Sequence, residues 1–119
     1  MKKILVIEDN TENMYMMRFL LEKKGYLVLE AGTGEEGVKQ ALANRPDLIL
    51  MDIQLPGMDG LETTRRIRES EIDGNIPIVA VTSFAMTGDR DKAMAAGCNG
   101  YIEKPINLDT FIQTMEAFL

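Results

Sequence analysis

Four short apolar runs in this sequence lead into residues capable of chemistry. Residues 4–7 run into Glu8 and Asp9, residues 48–51 into Asp52, residues 76–81 into Thr82, and residues 100–103 into Lys104 and Pro105. For any one of these positions, a polar residue stepping out of a strand into water is the ordinary explanation. For all four strand ends together it is a poor one. Carboxylates brought together raise one another's pKa unless positive charge neutralises them. Lys104 supplies one such charge, and a hard divalent cation such as Mg²⁺ would supply more while keeping water and phosphate oxygens among its ligands. An aspartate beside a cation and a lysine can attack a phosphoryl group and form an aspartyl phosphate. The equatorial oxygens then need positive charge and donors, which the cation, Lys104 and the Thr82 hydroxyl would provide.

Such a site needs a scaffold that brings strand ends together. Residues 4–7, 27–29, 48–51 and 76–81 are aliphatic runs bounded by turn or charged residues, the pattern of strands buried on both faces of a parallel sheet. A weaker fifth strand is expected at 100–103, marked by Tyr101 and Ile102. Helical stripes separate the strands: Met14, Met17 and Leu21; Val38, Ala41 and Leu42; then Leu61, Thr64 and Ile67 behind Asp59 as N-cap. Residues 88–97 offer only Ala93, Met94 and Ala96, so this helix should hold the core least firmly. A final stripe runs through Leu108, Phe111, Ile112, Met115, Phe118 and Leu119. Pro46 and Pro77 each precede a strand, where a missing N–H costs little. The alternation predicts an α/β fold of five βα units: a parallel sheet, doubly wound, with helices on both faces. Ligands of such sheets bind at the carboxyl ends of the strands, where the chemical residues sit.

Composition closes other routes. The 119 residues fit one domain. With no His, Ser-His-Asp and Cys-His schemes are impossible within the chain, and with Cys98 the one Cys or His ligand a structural zinc site is not expected. One cysteine forms no internal disulfide, which suits a reducing, cytoplasmic setting. Nineteen acidic against 13 basic residues leave a net charge of −6, unfavourable for direct binding to nucleic acid or an anionic membrane. The apolar run behind Lys2 and Lys3 stops at Glu8, too short for a secretory signal or a membrane span.

The motifs VIEDN at 6–10, LILMDIQLPGMDG at 48–60, IVAVTSFAM at 78–86 and GYIEKPI at 100–106 resemble the receiver domain of two-component response regulators. The resemblance runs from residue 3 to 119 and includes the single-domain cell-cycle regulators and the receivers of hybrid kinases. It implies a flavodoxin-like sheet of order 2-1-3-4-5 and one receiver domain over 1–119, with no output domain of its own. By position it makes Asp52 the phosphoacceptor and Asp9, Asp52 and the backbone carbonyl of Gln54 ligands of Mg²⁺ (or Mn²⁺), with Glu8 acting through a bound water. Thr82 becomes the switch residue, Lys104 the phosphate-pairing lysine before a cis Lys104–Pro105 bond, and Tyr101 the aromatic that swings with Thr82. Gln54 and Phe84 occupy positions that tune dephosphorylation: Phe84 to shield the acyl phosphate, Gln54 to orient a water. Ser83 stands where a small Ala is frequent and is expected to be neutral. The implied partners are a histidine kinase or histidine phosphotransfer protein, the absent His requiring that the donor lie elsewhere. A downstream protein would read the face of the fourth helix, fifth strand and fifth helix. Tyr15 and Phe19 fall off the first helical stripe and are expected at the surface, which makes Phe19 a candidate kinase contact.

Rival readings fit less well. Gly32-Thr33-Gly34-Glu35-Glu36-Gly37 matches G-x-G-x-x-G, with Asp52 20 residues past Gly32, as in a dinucleotide fingerprint. That reading leaves Asp9, Thr82 and Lys104 unexplained, while Glu35 and Glu36 suit a helix's first turn. An aspartate-based phosphatase would resemble D-x-D, but Gln54 replaces the second Asp, so the chain is not expected to act as an enzyme on external phosphoesters. A flavodoxin-like electron carrier would need a phosphate loop where Glu8-Asp9-Asn10 would repel it. A receiver-like interaction module working without phosphorylation would have no use for Asp9, Asp52, Thr82 and Lys104 together. Nine methionines suggest adaptable packing.

Overall fold

The three central strands of the sheet are buried on both sides, which is why the sequence shows aliphatic runs there instead of alternation. The edge strand at 27–31 exposes Leu27 and Glu30, contrary to the expectation for 27–29. The computed structural model describes residues 1–70, 76–83 and 88–119. Its strands are β1 (Lys3–Ile7), β2 (Leu27–Ala31), β3 (Leu48–Asp52), β4 (Ile78–Thr82) and β5 (Gly100–Glu103), and its helices are α1 (Thr11–Lys23), α2 (Gly34–Asn44), α3 (Gly60–Ser70), α4 (Asp89–Ala96) and α5 (Phe111–Glu116). All pairings are parallel and the order is β2-β1-β3-β4-β5, the doubly wound arrangement expected from the sequence.

Successive side chains of a strand point to opposite faces. Ile4 and Val6 therefore join Met17, Leu21, Phe111 and Met115 under α1 and α5. Leu5 and Ile7 join Ala41, Ile67, Ala93 and Cys98 under α2, α3 and α4. Side-chain caps start three of the helices, and the one at Asp59 is the cap expected from the sequence. Asn10 Oδ1 accepts from the Asn13 N–H, Thr33 Oγ1 from the Glu36 N–H, and Asp59 Oδ1 from the Glu62 N–H. At the end of α4, Gly97 takes φ 119°, a left-handed cap that suits glycine.

The structure departs from the expected pattern in several places, among them β2, which runs past Leu29 to Ala31. Strand β4 starts at Ile78, not Ile76, because Pro77 has no N–H and the Ile78 N–H is taken by Asn99 Oδ1 at 2.9 Å. Leu42 lies at the surface, because α2 meets the core through Gly34, Gly37 and Ala41. Helix α5 begins at Phe111: Asn107 accepts from the Asp109 N–H and forms a turn that leaves Leu108 exposed, and Leu119 lies beyond the helix.

The G-x-G-x-x-G stretch has a packing explanation. A Cβ on Gly34 would sit 2.3 Å from Thr63 Oγ1 and 2.9 Å from the Met58 carbonyl oxygen, and one on Gly37 would sit 2.5 Å from Ile7 Cδ1. These glycines let α2 approach α3 and the sheet, and Thr33 just before them is the helix cap. Among the described residues, no helix is long and apolar enough to cross a membrane.

Candidate functional site

Sheet register assembles the site. Ile7 pairs with Met51, so Glu8 emerges level with Asp52; Asp52 pairs with Val81, so Thr82 stands one step beyond it. Thr82 pairs with Glu103, and the Lys104 N–H continues the ladder to the Thr82 carbonyl at 2.7 Å. Residues far apart in sequence thus share one sheet edge.

Glu8, Asp9 and Asp52 each present a carboxylate oxygen there, all within 4.8 Å of one another. Glu8 and Asp52 are buried, whereas Asp9 lies on the exposed rim. Lys104 Nζ donates to Glu8 Oε1 at 2.8 Å and stands 3.5 Å from Asp52 Oδ2. The Glu8 carboxyl is raised to about 7, chiefly by burial and further by Asp52, against the lowering pull of the Lys104 ammonium and the Asn10 N–H. Asn10 serves twice, donating its N–H to Glu8 Oε2 at 3.1 Å and capping α1 with its side chain.

Asp52 is held from its own loop. The Gln54 N–H donates to Asp52 Oδ1 at 3.0 Å, and Gln54 Nε2 reaches Thr82 Oγ1 at 3.4 Å. Ser83 Oγ donates to Gln54 Oε1 at 2.9 Å, tying the loop after β3 to the end of β4. Gly60 lets α3 begin beside the site, since a Cβ there would fall 2.3 Å from the Asp52 carbonyl oxygen. Tyr101 is half-buried and packs against the core on the α4 side of the sheet. The Lys104–Pro105 peptide bond is cis. Phe84 lies outside the described residues. Tyr15 and Phe19 on α1 are exposed, at 71% and 54%.

The donors fit a hard divalent cation. They are carboxylate oxygens without sulfur or imidazole, the set that favours Mg²⁺ or Mn²⁺ over Zn²⁺. Two of the three carboxylates are buried, and the Lys104 ammonium is the positive charge placed against them.

Two contacts escaped sequence reasoning. Asn10 was legible only as part of VIEDN, and its grip on Glu8 is an ordinary cap geometry turned to use. Ser83 carried no signal at all, because its partner lies 29 positions away in another loop.

Comparison with known proteins agrees with this geometry. The family model described as the response regulator receiver domain matches residues 4–116. The polar-differentiation response regulator DivK of Brucella anthropi is 43% identical over 118 residues, covering 99% of this chain and 96% of the relative. The chemotaxis protein CheY4 of Vibrio cholerae superposes with a TM-score of 0.95 at 28% identity, covering 100% of this chain and 99% of that one. The receiver domain of the sensor histidine kinase PA1611 from Pseudomonas aeruginosa, solved with a magnesium ion coordinated in its active site cleft, gives 0.90 at 36% identity, covering 98% and 96%. With the carboxylate cluster at the strand ends and a matching model over nearly its whole length, this chain belongs to the response regulator receiver domain family.

Proposed function

We propose that the chain accepts a phosphoryl group on Asp52 from a phosphohistidine of a histidine kinase or histidine phosphotransfer protein. The observation that carries this reading is the meeting of three carboxylates within 4.8 Å of one another, with the Lys104 ammonium 3.5 Å from Asp52 Oδ2. Asp9, Asp52 and the Gln54 carbonyl would hold Mg²⁺ (or Mn²⁺), with Glu8 acting through a water. Bound there, the cation would neutralise charge on the phosphoryl oxygens. Asp52 supplies the attacking oxygen, as the P–N bond to the donor histidine breaks and its electron pair stays on the imidazole. Lys104 exchanges part of its pairing with Glu8 for the new phosphoryl oxygens. Thr82 donates its hydroxyl to them, and Tyr101, on the neighbouring strand β5 opposite Ala80, follows.

The outcome is a shift between two populations of the face formed by α4, β5 and α5, read by a downstream protein. Ala93 and Ala96 are the buried side chains among the apolar residues of α4, so that helix gives way at small cost. The chain does no chemistry on external substrates beyond its own phosphotransfer and autodephosphorylation, and it works in the cytoplasm. Acetyl phosphate with Mg²⁺, followed by intact mass, tests this: wild type gains one phosphoryl group and Asp52→Asn gains none. A folded wild type that gains none overturns the reading.

A further inference from the structure

We propose that Ser83 is a positioning residue that sets the lifetime of the phosphoryl group by fixing which end of the Gln54 carboxamide faces Thr82, beside Asp52. The inference rests on the phosphoacceptor reading and names a regulator of the same site. Ser83 Oγ donates to Gln54 Oε1 at 2.9 Å, and Gln54 Nε2 lies 3.4 Å from Thr82 Oγ1. The Gln54 backbone is anchored as well, its N–H donating to Asp52 Oδ1 at 3.0 Å. A carboxamide has one acceptor end and one donor end. With the acceptor end committed to Ser83, the donor end faces the hydroxyl of Thr82.

That orientation has a chemical consequence. In hydrolysis, a water oxygen bonds to phosphorus and the bond from phosphorus to the Asp52 oxygen breaks. The electron pair returns to the carboxylate, and both water protons leave on inorganic phosphate. A water in attack is helped by an acceptor that orients its proton. Gln54 held by Ser83 offers N–H donors there instead, which favour the phosphoryl oxygens and leave the water unaided. When Thr82 turns toward a phosphoryl group, its hydroxyl leaves the carboxamide and the Ser83 hydroxyl keeps the hold.

The experiment compares decay of the aspartyl phosphate in wild type, Ser83→Ala, Ser83→Thr, Gln54→Ala and the Ser83→Ala/Gln54→Ala pair, after loading with acetyl phosphate and Mg²⁺. Loss of one neutral hydrogen bond should shorten the lifetime in Ser83→Ala about fivefold. The loading rate of Ser83→Ala should match that of wild type. Ser83→Thr, which keeps the hydroxyl, should restore the lifetime, and in the Gln54→Ala background Ser83→Ala should have no further effect. An unchanged lifetime in Ser83→Ala, or the same shift without Gln54, overturns the proposal. A wild type that takes no phosphate is a different failure, of the phosphoacceptor reading itself. A second arm needs no phosphate: the Gln54 side-chain amide should be ordered by nuclear magnetic resonance in wild type and mobile in Ser83→Ala. Equal order in both removes Ser83 from the role.

Discussion

Lys104 Nζ donates to Glu8 Oε1 at 2.8 Å across 96 positions of sequence, joining the end of β5 to the end of β1 over the intervening Asp52. The pair stands largely out of water, with the Lys104 side chain 13% and the Glu8 side chain 1% exposed. Breaking a buried pair by removing one partner leaves an uncompensated charge and typically costs ~3–5 kcal/mol. Lys104 keeps some contact with solvent, so Lys104→Met should cost less, about 2 kcal/mol in urea unfolding with a chelator present. The same substitution removes a positive charge that competes for the carboxylates. Magnesium affinity by titration calorimetry should therefore rise in Lys104→Met while incorporation from acetyl phosphate falls.

Asp9 separates cation binding from folding. It sits on the exposed rim, so Asp9→Asn should unfold like wild type when metal is absent. A ligand that binds only the folded state adds ~2.7 kcal/mol at one hundred times its Kd. Wild type should gain about that from Mg²⁺, and Asp9→Asn should lose most of the gain at the same concentration. Equal gains in both proteins would place the cation elsewhere.

The glycines of the G-x-G-x-x-G stretch should differ by packing alone. Gly34→Ala drives a methyl into Thr63 and the Met58 carbonyl, and overpacking of this kind costs ~1–3 kcal/mol. At Gly32 nothing lies within 4 Å of an added Cβ, so Gly32→Ala should be neutral to slightly stabilising by up to ~1 kcal/mol. Chemical denaturation measures both.

Tyr26 donates its hydroxyl to Glu116, tying the start of β2 to the end of α5. The Glu116 carboxylate pushes the Tyr26 phenol up to about 12. A phenol raised in the folded state stabilises it fully below the usual 10, and that contribution disappears as pH rises through about 12. The chain has no Trp and three Tyr, so phenolate absorbance is read without interference. The Tyr26 component should titrate near 12 in wild type and move toward 10 in Glu116→Ala.

The sheet and its chemical edge were legible because both depend on local patterns. Buried parallel strands leave aliphatic runs such as 48–51, and the residue ending each run is the one the register gathers. Asp59 and the stripe of Thr64 and Ile67 were legible for the same reason, each signal lying within a few residues of the next. The contacts between elements distant in sequence left no such trace. Ser83 meets Gln54, Asn99 Oδ1 meets the Ile78 N–H, and Tyr26 meets Glu116 only because the fold brings distant loops together. Leu42 and Leu108 fit an apolar stripe by type, yet glycines in α2 and the Asn107 turn decide which residues reach the core.

The central claim is a covalent bond between phosphorus and one oxygen of Asp52. Borohydride reduces an acyl phosphate to an alcohol, converting the modified aspartate to homoserine without touching free carboxylates. After treatment with acetyl phosphate and Mg²⁺, peptide mass spectrometry should find homoserine at position 52 and none when the metal is chelated. Homoserine at position 9 instead, or none at any position in the folded, metal-loaded protein, would contradict the account.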